Sequence, residues 1–117
     1  MEKLLVYHNP GSGKSRGALD ILRERGVEFD VIEYLKTPLD RDTLASLVDL
    51  VPNDPADMVR KDKNFKDLGL DAADYVTADA VVDLLLEHPK LMQRPILVRG
   101  DRAVIARPPD NALELLD

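Results

Sequence analysis

The opening of the chain constrains its fold more than any other stretch. Leu4-Leu5-Val6-Tyr7 is an apolar run bounded by Asn9-Pro10-Gly11, which predicts a buried strand over 3–8. From about Ser15 to Arg25, Ala18, Leu19 and Leu22 share one helical face with Ile21 alongside, and Gly26 stands where a C-terminal cap belongs. Residues 27–34, with Val31-Ile32-Glu33-Tyr34, favour a second strand. A strand, a helix and a strand in that order imply a right-handed crossover and a parallel strand pair.

The rest of the chain extends that unit. Asp40 caps a helix carrying Leu44, Leu47, Val48 and Val51 before Pro52 and Pro55 interrupt it. Residues 56–76 read as short, charged helical turns. Thr77 caps a further helix with Val81, Leu84 and Leu85, ending near Pro89. Residues 95–98 and 103–105 are short strands. Arg99-Gly100-Asp101-Arg102 forms a two-residue hairpin turn between them, with Gly100 at positive φ and both arginines solvated. A short helix runs from about Asp110 to the end. The fold class is α/β: one domain over 1–117, β-α-β, a helical insertion, then β-β-α, with a mixed sheet flanked by helices. An X-Pro bond opening the third strand suits the thioredoxin-like plan.

Composition removes several classes of function. The 117 residues hold 16 basic and 22 acidic side chains, a formal charge of −6. An acidic chain with 4% aromatics and no tryptophan is a poor nucleic-acid or membrane-surface binder. No apolar run approaches the ~20 residues a bilayer span needs, and the apolar stretch that follows Met1-Glu2-Lys3, Leu4-Leu5-Val6-Tyr7, runs into polar residues too soon for a signal peptide. A cytoplasmic location is expected. There is no cysteine, which excludes disulfides, thiolate metal sites and thiol chemistry by this polypeptide. Two histidines, His8 and His88, are too few for a histidine-rich metal site, so no metal and no bound cofactor is expected.

The loop from His8 to Arg16 carries the most chemistry. It joins strand to helix, and free N–H groups at a helix start favour an anion. Gly11 and Gly13 allow close approach of the backbone. Gly13-Lys14-Ser15 looks like the end of a phosphate-binding P-loop, but His8 stands where that motif needs glycine. As a bare turn, the loop would have Ser12 or Ser15 satisfying helix N–H groups, with Lys14 and Arg16 solvated. His8 at the strand end is equally compatible with a structural histidine, and His88 before Pro89 with a dipole-favoured one.

Four segments together carry a resemblance. Tyr7-His8-Asn9-Pro10 with Lys14-Ser15-Arg16, Tyr34-Leu35-Lys36-Thr37-Pro38, Gln93-Arg94-Pro95-Ile96 and Ala106-Arg107-Pro108 resemble, in order and spacing, the glutaredoxin-coupled ArsC arsenate reductases; Arg60-Lys61 falls in that family's middle helical region. The resemblance implies a nucleophilic cysteine at position 12, where this chain has Ser12. It implies oxyanion binding by Arg60, Arg94 and Arg107, a cis-proline at Pro95, and supporting roles for His8, Gly13, Lys14 and Ser15. It also implies glutathione as co-substrate, glutaredoxin as partner, and arsenate and arsenite as substrate and product.

Guanidinium forks suit a tetrahedral polyanion because they stay charged and donate paired hydrogen bonds. A helix start would favour a thiolate at position 12. A serine hydroxyl lacks that nucleophilicity and cannot follow the sulfur redox steps. The expectation is a chain that binds arsenate or a related oxyanion without reducing it, whether the serine is natural or an isosteric replacement of cysteine. Two alternatives remain: a non-catalytic Spx-like regulatory protein, whose usual Cys-x-x-Cys is missing here, and a phosphate- or sulfate-binding pseudoenzyme.

Overall fold

The computed structural model describes residues 3–116. They fall into two compact units, one built from residues 3–37 and 94–116 and the other from 38–93.

The first unit is a four-stranded mixed sheet. Its elements are β1 (Leu4–His8), α1 (Gly13–Glu24), β2 (Phe29–Glu33), β3 (Ile96–Arg99) and β4 (Arg102–Ile105), in spatial order β2-β1-β3-β4. β1 pairs parallel to β2, with Leu4 opposite Phe29 and His8 opposite Glu33. It pairs antiparallel to β3, with Tyr7 opposite Ile96, and β3 pairs antiparallel to β4, with Ile96 opposite Ile105. This is the thioredoxin-like topology. Its core joins Leu4, Val6, Leu97 and Val104 of the sheet to Ala18, Leu19 and Leu22 of α1 and to Ala112 and Leu115 of a C-terminal 3-10 helix, Pro109–Leu115.

Several boundaries differ from those expected. α1 begins at Gly13 rather than Ser15 because Ser12 is its N-cap: the Ser12 Oγ accepts the Ser15 N–H at 3.3 Å. Gly13 then occupies the first turn, where its poor helix propensity matters little because no hydrogen bond is due there. The helix ends at Glu24, where Gly26 N–H donates to Arg23 O and Val27 N–H to Leu22 O, both at 3.1 Å, with Gly26 at φ 66. That Schellman closure uses the Val27 amide, so β2 starts only at Phe29. β2 stops at Glu33 because the Glu33 carbonyl accepts from Lys36 and Thr37 in a turn. The hairpin turn is Gly100-Asp101, with Gly100 at φ 62.

The last helix, expected from Asp110, is a 3-10 helix from Pro109 to Leu115; Asp117 lies outside the described residues. Arg99 and Arg102 are not merely solvated. They donate to the carbonyls of Leu115 (2.8 Å) and Glu114 (2.6 Å), capping the C-terminal end of that helix.

The second unit is helical. α2 (Arg41–Leu50) is capped by Asp40, whose carboxylate accepts the Thr43 N–H at 2.8 Å. Between α2 and the last helix of this unit lie a 3-10 turn (Pro55–Met58), the short α3 (Lys63–Asp67) and a second 3-10 turn (Ala72–Asp74). That last helix, α4 (Ala78–Glu87), is capped by Thr77, whose Oγ1 accepts the Ala80 N–H at 3.2 Å. Leu44, Leu47 and Val48 of α2 and Val81, Val82, Leu84 and Leu85 of α4 are buried as these helices pack together. His88 is the C-cap of α4, and its Nε2 lies 3.7 Å from the Glu87 carboxylate. No helix among the described residues is long and apolar enough to cross a membrane.

Candidate functional site

Strand register determines which residues meet. Tyr7 faces Ile96, and Ile96 faces Ile105, so His8, Pro95 and Ala106 follow at one end of the sheet. The Ala106 N–H donates to the Pro95 carbonyl at 3.0 Å, which holds the chain leading into Arg107 beside the Arg94-Pro95 step. The Arg94–Pro95 and Arg107–Pro108 peptide bonds are both cis. Arg107 donates from Nη1 to the Arg94 carbonyl at 3.1 Å, and Asn111 Nδ2 donates to the Arg107 carbonyl at 3.2 Å. Both arginines are half-buried. A Cβ added to Gly17 of α1 would lie 3.2 Å from Pro109, so α1 runs against the segment that follows Arg107.

The loop at that sheet end is internally tied. Ser12 N–H donates to Asn9 O at 3.0 Å, Ser15 N–H to Ser12 Oγ at 3.3 Å, and Asn9 N–H to Ser15 Oγ at 3.3 Å. Ser12 is 7% exposed and Ser15 fully buried. Asn9 also accepts the Gly11 N–H through Oδ1 at 2.9 Å. Arg16, expected to be solvated, is exposed but donates to the Pro10 carbonyl at 2.9 Å. Lys14 is exposed. The Gly13 and Lys14 amides belong to the first helical turn, where no intrahelical acceptor exists, so α1 presents donors and its positive dipole end beside Ser12.

His8 lies at the end of β1 and is 7% exposed. Its Nδ1 is buried without a hydrogen-bond partner among the described residues. Burial lowers its pKa below the ordinary histidine value; Glu33, opposite it on β2, pulls the other way, and Arg23 and Arg16 add to the lowering. A neutral imidazole follows at neutral pH.

Arg60 belongs to the second unit. Its N–H donates to Leu91 O at 2.6 Å, beside an antiparallel bridge between Val59 and Met92, and its guanidinium lies 3.6 Å from the Asp62 carboxylate. The first unit thus carries His8, Ser12, Gly13, Lys14, Ser15, Arg94, Pro95 and Arg107, with the register setting His8 and Pro95 at one sheet end, while Arg60 is placed within the second. Asn9, not among the expected site residues, joins the loop network; its place before Pro10 within the Tyr7-His8-Asn9-Pro10 segment is the available cue. No cluster of three or more metal-ligating His, Asp or Glu side chains occurs among the described residues.

The ArsC family model matches residues 7–115. The chain belongs to the ArsC family. It is 38% identical over 117 residues to Arsenate reductase of Escherichia coli strain K12, covering 99% of this chain and 82% of that protein. It is equally identical to the uncharacterized protein YfgD of the same strain, over 98% of each chain. Among solved structures, Arsenate reductase from Vibrio cholerae superposes with a TM-score of 0.84 at 35% identity, covering 97% of each chain. This ArsC member is a reductase scaffold of oxidoreductase lineage that contains no cysteine.

Proposed function

We propose that this ArsC chain binds arsenate or a closely related tetrahedral oxyanion at the Ser12 corner without reducing it. Position 12 is read as the nucleophile position of a glutathione- and glutaredoxin-coupled arsenate reductase. The observation that most supports this is the shared sheet end. A helix start with open amides, a near-buried Ser12 and two half-buried arginines tied through the Arg107–Arg94 hydrogen bond lie in one structural unit. Charge-assisted hydrogen bonds from guanidinium groups and oriented amides are the standard means of holding a polyanion. The role of Arg60 as a third guanidinium rests on the sequence resemblance alone.

With cysteine at position 12, the thiolate would attack arsenate and displace an oxygen as water. Glutathione would then join the arsenic, and glutaredoxin would complete reduction to arsenite, in a cytoplasmic setting that supplies both thiols. With serine, the first step lacks its nucleophile and the later steps lack their sulfur. Binding survives because it depends on the surrounding donors. Arsenate and phosphate differ little in shape and charge, so the corner should discriminate between them poorly.

Titration calorimetry of the chain with arsenate, phosphate and sulfate tests the reading. Saturable binding of arsenate that is weakened by Arg94→Ala supports it. No binding of any of the three anions, or binding indifferent to Arg94→Ala, removes it.

A further inference from the structure

Beyond the anion-binding groups, three residues of the loop form a closed ring of hydrogen bonds. Asn9 N–H donates to Ser15 Oγ, Ser15 N–H to Ser12 Oγ, and Ser12 N–H to Asn9 O, at 3.3, 3.3 and 3.0 Å. We propose that Ser15 is the positioning residue of this corner: its hydroxyl anchors the chain entering the loop while its amide directs the side chain at position 12. The inference rests on position 12 being the nucleophile position and deepens that reading.

The two halves of Ser15 act on different partners. Its amide is supplied by the helix and would be present with any residue at 15 other than proline. Its Oγ reaches back to Asn9, six residues earlier. Asn9 in turn holds Ser12 through its carbonyl and Gly11 through its side chain. Without the hydroxyl, the Asn9 amide loses its acceptor in a part-buried loop, where an unmet donor is costly. The loop would then relax and the position-12 atom would leave the line of the Ser15 amide. Ser15 is fully buried, so water does not readily replace the hydroxyl. A thiolate at position 12 would inherit the amide as a donor, and such donors together with a helix start raise the thiolate fraction.

The chain contains no cysteine, so S12C introduces a single thiol whose reactivity is read without interference. The experiment compares iodoacetamide alkylation rates against pH for S12C and S12C/S15A, with S12C/S15T as rescue and far-UV circular dichroism as a check on folding. The expected result is an alkylation rate at neutral pH about tenfold lower in S12C/S15A, its pH profile displaced upward, and recovery with threonine, which keeps the oxygen. Identical profiles for S12C and a folded S12C/S15A would overturn the proposal.

Amide hydrogen exchange on the unmodified chain needs no variant to fold. The Asn9 amide should be protected despite lying in a loop, and exchange at an unprotected rate would also overturn the proposal. Neither readout uses arsenate. Anion binding can therefore fail while the Ser15 effect stands, and the reverse, so the two readings are separable.

Discussion

Arg107 donates a hydrogen bond from its guanidinium to the main-chain carbonyl of Arg94, 3.1 Å away and thirteen residues earlier. One arginine thus orients the strand entry that carries the other. Anion affinity should depend on Arg107 twice, through its own charge and through the placement of Arg94. We expect Arg107→Ala to weaken arsenate binding by about 1.5–3 kcal/mol, the range for hydrogen bonds to charged groups. Arg107→Lys should recover only part of it, because an ammonium cannot reproduce the planar fork. Calorimetry on both variants checks this, and full recovery with lysine would argue for a simple point charge.

Arg99 and Arg102 give the opposite expectation. Both reach the carbonyls that end the C-terminal 3-10 helix and stand at the far end of β3 and β4 from Pro95. Arg99→Ala should lower stability by about 1 kcal/mol, the net worth of one such hydrogen bond, and leave anion affinity unchanged. Urea unfolding and calorimetry on the same preparation separate the two effects.

Gly26 has φ 66, and a Cβ added there would meet no heavy atom within 4 Å, so Gly26→Ala has no steric neighbour. Its cost is conformational only, roughly 1 kcal/mol for alanine forced into the left-handed region. Urea unfolding of the variant measures it. A stability loss several times larger would mean that the Schellman closure of α1 also breaks.

His8 predicts a pH dependence. Its folded pKa lies below 6.5, chiefly because burial disfavours the imidazolium. As pH falls through 6.5, the unfolded chain takes up a proton that the folded chain does not. Stability therefore declines from about pH 6.5 downward until the lowered folded value is reached, and is constant above that window as far as His8 is concerned. Replacing His8 by Gln should flatten this part of the profile, measured by urea unfolding from about pH 5 to about pH 8. An unchanged slope would assign the titration to other groups.

Much of the fold is legible in the chain because its strands are short apolar runs and its caps are Asp40, Thr77 and Gly26, residues whose local chemistry leaves few options. Gly13 and Lys14 are not legible as helix because neither carries an apolar or capping signal; Ser12 becomes the cap through a contact that spacing alone does not choose over Ser15. The roles of Arg99 and Arg102 are hidden for another reason. Their acceptors lie 16 and 12 residues later and become neighbours only when the C-terminal helix folds back. Asn9 escapes the sequence because its hydrogen bonds use mostly main-chain atoms, which the side-chain pattern does not encode. The candidate anion corner is readable from Arg94, Arg107 and Ser12 only as an ordered set; the register Tyr7–Ile96–Ile105 brings the ends of their parent segments, at His8, Pro95 and Ala106, to one sheet end.

On the proposed reading, the atom at position 12 decides whether this scaffold turns over. The most direct measurement is arsenite formation from arsenate in the presence of glutathione and glutaredoxin, by the chain as it stands and by Ser12→Cys. We expect no turnover with serine and clear, thiol-dependent turnover with cysteine. A folded Ser12→Cys variant that binds arsenate yet forms no arsenite with any thiol donor, or arsenite formation by the serine chain itself, would contradict this reading.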